Sequence, residues 1–132
     1  MKMFFLCFYL FWAQSFNVNA IEQNSHAKVS LQSFVSAGRT YLAAIYKNDE
    51  HWHTYWKNPG DAGTPLEITL SLNGKPFTPT PLEWPIPQVF LEPGDMQAFG
   101  YEGQYALFFE LSNDDLLKLN NKTLEFNTKW LI

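Results

Sequence analysis

Leu66-Glu67-Ile68-Thr69-Leu70-Ser71-Leu72-Asn73-Gly74 is the stretch that decides the fold. Its leucines and isoleucine alternate with Glu67, Thr69 and Ser71, the two-residue period of a strand with one dry and one wet face. Asn73-Gly74 then supplies the pair that a tight hairpin turn requires. Working outward, Tyr105, Leu107, Phe109 and Leu111 repeat the alternation, and Phe108 on the opposite face predicts burial or contact there too. Residues 28–35, 39–47 and 123–132 read as further strands, the last alternating Leu124, Phe126 and Trp130 with Glu125 and Lys129. Only Asn113 to Leu119 reads as a helix, with Asn113 as its cap and Asp114 and Asp115 in the first turn, where negative charge suits the helix dipole. Prolines at 76, 79, 81, 85, 87 and 93 predict that no strand of any length runs between Lys75 and Gly94. About seven short strands, no internal repeat and almost no helix point to an all-β, immunoglobulin-like antiparallel β-sandwich, with a small barrel as the alternative.

The first twenty residues read as a targeting segment. Lys2 supplies the positive start, Phe4 to Trp12 the apolar run, and Val18-Asn19-Ala20 a small-residue cleavage site. The run is shorter than the roughly 20 apolar residues of a bilayer-spanning helix, so a retained anchor is the less favoured reading. One domain is expected over residues 21–132. The single cysteine, Cys7, falls in the leader, so the mature chain has no thiol and no disulfide. The formal net charge of −4, made more negative by loss of Lys2, argues against nucleic acid and anionic membrane as partners.

Upstream of the deciding strand, His51 to Gly63 (HWHTYWKNPGDAG) packs aromatics, two histidines and a turn signal together. It reads as a strand running into a turn built from Asn58, Pro59, Gly60 and Asp61, where Pro fixes one dihedral and Gly supplies a positive one. On a strand His51 and His53 would share a face, but two imidazoles are half a metal site, and a third ligand such as Asp61 or Glu102 would have to come from elsewhere. No metal and no cofactor are expected. Trp52, Tyr55, Trp56, Trp84 and Trp130 serve either a binding surface or a core, and a small sandwich short of Ile and Val needs most of them inside. Tyr55 and Trp56 point to opposite faces, which leaves one of the pair for the surface. Nucleophilic catalysis finds no support: there is no Gly-x-Ser-x-Gly, and of three histidines His26 lies near the mature amino terminus. Asn121-Lys122-Thr123 matches a glycosylation acceptor, a pattern common by chance.

His53-Thr54-Tyr55-Trp56-Lys57-Asn58-Pro59-Gly60-Asp61-Ala62-Gly63 closely resembles a motif of the amino-terminal periplasmic domain of the DsbD/ScsB family of transmembrane thiol:disulfide interchange reductases. Leu82-Glu83-Trp84-Pro85-Ile86-Pro87 resembles that family's Trp-Pro-x-Pro segment, and Phe99-Gly100-Tyr101-Glu102-Gly103 its Gly-Tyr-Glu-Gly loop. The resemblance implies a periplasmic immunoglobulin-like domain that takes electrons from a membrane-embedded reductase domain and passes them to periplasmic thiol–disulfide client proteins, with no small-molecule substrate. It also implies a short aromatic cap loop, matched by Met96 to Glu102, and a site drawn from His53, Tyr55, Trp56, Asn58, Asp61, Phe99, Tyr101 and Glu102. The family's cysteine pair begins directly after a strand ending in Trp-Leu-x. Here Lys129-Trp130-Leu131-Ile132 matches that strand and the sequence stops, which points to a fragment whose parent continues into the cysteines and membrane helices. The competing expectation, from another class, is a thiol-free periplasmic protein-binding module using the 53–61 turn and the 99–101 loop.

Overall fold

The computed structural model describes residues 18–21 and 26–130. Most of the expected targeting segment, residues 1–17, lies outside them, as do Leu131 and Ile132. The strands are β1 (Val18–Ile21), β2 (Ala27–Ser36), β3 (Arg39–Asn48), β4 (His53–Gly60), β5 (Glu67–Leu72), β6 (Lys75–Pro76), β7 (Thr80–Pro81), β8 (Gln88–Glu92), β9 (Met96–Glu102), β10 (Gln104–Leu111) and β11 (Leu124–Lys129), with one helix, α1 (Asn113–Leu119). They form an all-β, sandwich-like fold, as the alternation predicts.

Two four-stranded sheets, ordered β1-β11-β5-β6 and β2-β3-β10-β7, make the layers. Period-two patterning selects what each turns inward. On β3, Leu42, Ala44 and Tyr46 are buried, and on β11 Leu124, Phe126 and Thr128 are, while Glu125, Asn127 and Lys129 are exposed. Leu70 and Leu72 of β5 lie opposite Phe126 and Leu124, and Leu107 of β10 lies opposite Ala44. These residues join Trp130 and Phe77 in one core cluster. Tyr46 OH and Thr128 Oγ1, 2.9 Å apart, bond one sheet to the other across it. Phe108, on the outer face of β10, meets Phe34 of β2 edge-on at 5.9 Å, the contact its position predicts.

The remaining strands form a three-stranded antiparallel sheet, β4-β9-β8. It corrects two expectations. Residues 88–92, the five between Pro87 and Pro93, carry no proline, so they are free to pair and do so with β9 from Gln88↔Gly100 to Glu92↔Met96. Met96 to Glu102, expected as a cap loop, is β9, the central strand, because Gln97, Phe99 and Tyr101 alternate with Ala98 and Gly100 and have a partner strand on each side.

Two boundaries also move, and a third expected boundary falls within a strand. The helix is capped by Ser112, not Asn113: Ser112 Oγ accepts from Asp115 N at 3.1 Å and Asp115 Oδ2 accepts from Ser112 N at 2.8 Å, a reciprocal capping box. β4 continues through Asn58, Pro59 and Gly60, and the chain turns at Asp61–Gly63. The reason is a bulge, since β4 pairs Tyr55 with Gly100 and next Gly60 with Ala98, leaving Trp56 to Pro59 opposite Phe99 alone. Pro59 fits there because a bulge needs no ladder donor. Lastly, β1 pairs in parallel with β11 from Val18↔Leu124 to Asn127↔Ile21, so the expected cleavage after Ala20 falls inside a paired strand.

Candidate functional site

All eight candidate residues lie on the β4·β9 pair and the turn that follows β4, and the pairing register sorts them into roles. His53 lies opposite Glu102, Thr54 opposite Tyr101, and Tyr55 opposite Gly100. At Gly100 the two backbones close up so far that a Cβ would collide with the Thr54 carbonyl, so no other residue fits without moving β4.

From β4, His53 and Tyr55 reach past the small positions Ala98 and Gly100 to β8. His53 Nε2 lies 3.0 Å from Glu92 Oε1, the His53 ring stacks on Phe90 at 4.1 Å, and Tyr55 OH donates to the same Glu92 oxygen at 3.2 Å. A carboxylate only accepts, so His53 donates from Nε2. Burial first, and then the adjacent Glu92 carboxylate, raise the Tyr55 hydroxyl above the ordinary tyrosine value. The turn closes over this cluster: a Cβ on Gly63, whose φ is +92°, would run into the Tyr55 ring.

Thr54 and Tyr101 point into the core instead. Tyr101 stacks on Tyr105 at 4.2 Å and Tyr105 on Tyr46 at 5.0 Å. Thr54 Oγ1 and Tyr105 OH are 2.6 Å apart, and Asn48 Nδ2 donates to the Tyr101 carbonyl at 2.7 Å. Burial pushes the Tyr101 hydroxyl up to about 12, and it raises Tyr46 and Tyr105 further, their threonine bonds offsetting only part of the effect. These phenols stay protonated at neutral pH and serve as hydrogen-bonding and packing groups.

The three sequence motifs meet at this sheet. Tyr101 OH donates to the Pro85 carbonyl at 2.7 Å, fastening the Trp-Pro-x-Pro segment to β9. Lys57 Nζ lies 5.5 Å from the Trp56 ring and 6.0 Å from the Trp84 ring, joining the same segment to the β4 bulge. Trp56 meets Phe99 edge-on at 6.4 Å. Asn58 Oδ1 accepts from Gly60 N at 3.3 Å, while Asp61 N donates to the Gln97 carbonyl at 2.8 Å and Asp61 Oδ2 accepts from Gln97 N at 3.0 Å. Asn58, Asp61 and Tyr101 therefore shape the site, whereas half-buried Trp56 and Phe99 and exposed Glu102 present it. Beside them Ile86, Val89 and Leu91 stand 93 %, 63 % and 72 % exposed.

The aromatics expected mainly in the core divide. Trp130 and Tyr55 are buried, Trp84 packs half-buried against the core, and Trp52 stays 38 % exposed. The shared histidine face does not form. His51 sits in the turn before β4 with φ of +67° and pairs with Glu50, while His53 is committed to Glu92. Among the described residues no group of three or more His, Cys, Asp and Glu is placed to hold a metal ion. Sequence reasoning missed Glu92, Phe90, Asn48 and Tyr105; the alternation of Gln88, Phe90 and Glu92 was the available signal for the first two.

Fold and site together define a β-sandwich domain with an attached aromatic sheet. The chain belongs to the family described as thiol:disulfide interchange protein DsbD, N-terminal, whose profile matches residues 17–132. It is similar in fold to the N-terminal periplasmic domain of ScsB from Proteus mirabilis, with a TM-score of 0.52 and 22 % identity over 84 % of this chain and 45 % of that one. The chain thus spans less than half of that ScsB chain. No curated protein matches it. Among the described residues no helix is long and apolar enough to cross a membrane.

Proposed function

We propose that this chain is the sandwich portion of an exported, periplasmic thiol:disulfide interchange protein, and that its β4-β9-β8 sheet is where a thiol–disulfide protein docks. The observation that carries the reading is the convergence of three motifs, residues 53–63, 82–87 and 99–103, on one sheet through Tyr101–Pro85 and Lys57–Trp84. Ile86, Val89 and Leu91 stand exposed next to that junction, and apolar side chains gathered at a surface mark interaction sites. In this reading residues 1–20 direct export, a membrane-embedded reductase domain is the electron donor, and periplasmic clients are the acceptors. Dithiol exchange requires an attacking thiolate and a resolving sulfur. Residues 8–132 contain neither, so they supply the docking surface and the reacting sulfurs come from elsewhere.

Capture from periplasmic extract on the immobilised chain, with the bound proteins identified by mass spectrometry, tests the proposal. Proteins carrying redox-active cysteine pairs should be enriched, and Leu91→Asp, at an exposed position that leaves the fold intact, should abolish the enrichment. Retention of the same proteins by Leu91→Asp would place docking elsewhere. Enrichment of a protein without redox cysteines, lost in the same variant, would instead favour the thiol-free binding module.

A further inference from the structure

The cleavage site expected after Ala20 lies inside β1, whose backbone pairs in parallel with β11 through Val18↔Leu124, Asn19↔Glu125, Ala20↔Phe126 and Ile21↔Asn127. Hydrolysis there would remove three of the four residues of that strand. It would also leave β11 at the edge of its sheet, because the order is β1-β11-β5-β6. β11 is a costly strand to leave bare. Its Leu124, Phe126 and Thr128 are among the most deeply buried side chains of the core, and an open row of backbone amides and carbonyls invites pairing with another chain. A second observation points the same way: the family profile begins at residue 17, so the matched domain includes all of β1.

An export leader consists of a positive start, an apolar run and a cleavage site with small side chains one and three positions before the bond that is cut. Ala13-Gln14-Ser15 follows directly on the run from Phe4 to Trp12 and places Ala13 and Ser15 at the two small positions. We infer that the leader is removed at the Ser15–Phe16 bond, so that the mature amino terminus carries β1 intact and closes the edge of β11. Hydrolysis by an export peptidase adds one water across that peptide bond, giving a carboxylate on Ser15 and an amine on Phe16, and Cys7 departs with the leader. The inference rests on the export reading above and moves its processing site from Ala20 to Ser15. A leader ending at Ser15 still lies within the range of such segments, roughly 15–30 residues.

Expression of the full chain with its own leader in a Gram-negative host, followed by intact-mass measurement and amino-terminal sequencing of the periplasmic product, tests it. The product should start at Phe16. Ser15→Gln, which puts a bulky side chain beside the bond, should abolish that product, whereas Ala20→Gln, equally bulky beside the other bond, should leave it unchanged. A product starting at Ile21 or at any other residue, an exported chain that keeps its leader, or a Phe16 product that survives Ser15→Gln would each overturn the inference and leave export standing. A chain held in the cytoplasm with its leader intact would overturn the export reading as well. The Phe16 product should also unfold at a higher urea concentration than a chain started at Ile21; equal midpoints would show that β1 adds nothing to the sheet and remove the reason for the upstream cut.

Discussion

Glu92 shows how much one side chain carries here. Its Oε1 receives both His53 Nε2 and Tyr55 OH, so truncation strands two donors at a part-buried position. Glu92→Ala should lower stability by about 1–3 kcal/mol, read as a shift in urea midpoint, and Glu92→Gln, which keeps an acceptor, should cost less. The tyrosines give a pH dependence whose sign is fixed. Their hydroxyls bind the proton more tightly in the folded chain than at the ordinary value of 10.0, so the unfolded chain ionises first as pH rises. Stability contributed by Tyr101 is therefore complete below pH 10.0 and lost progressively between there and about 12. Urea midpoints falling across that interval together with the appearance of tyrosinate absorbance would bear this out, and a flat midpoint would contradict it. His53 and Tyr55 stood out in the sequence as candidates, but Glu92, 39 and 37 residues away, did not. No local pattern encodes which carboxylate a distant strand will bring to a histidine.

At the scale of elements, alternation was legible wherever one face is buried and the other wet, as on β5 and β11. It failed where geometry depends on the neighbour: β8 was hidden by the prolines that bracket it, and the β4 bulge by a turn signal that truly belongs to a strand rejoining β9. Helix α1 is short, so its cap matters; Ser112→Ala should reduce stability by about 0.5–2 kcal/mol on thermal or urea unfolding. Gly63→Ala meets both a left-handed backbone and the Tyr55 ring, whereas Gly74→Ala, also at positive φ, meets open space. Both should destabilise, Gly63→Ala more, and equal urea midpoints for the two would show that the Tyr55 contact carries no energy.

For the molecule as a whole, the resemblance made the family and the sandwich legible, while nothing local announced that three separated motifs would be stitched together by a phenol and an ammonium group. The purified chain should show no turnover in an insulin-reduction assay, since its single cysteine lies at position 7; measured activity would contradict the sulfur count behind the docking role. The Glu92 link across β9 has one more consequence. An outermost strand of five residues would ordinarily fray by itself, exposing its amides to deuterium well ahead of its neighbours. Tied to the far strand over the head of the middle one, β8 cannot peel away without tearing His53 and Tyr55 loose, so its protected amides and those of β4 should exchange together, as one latch opening.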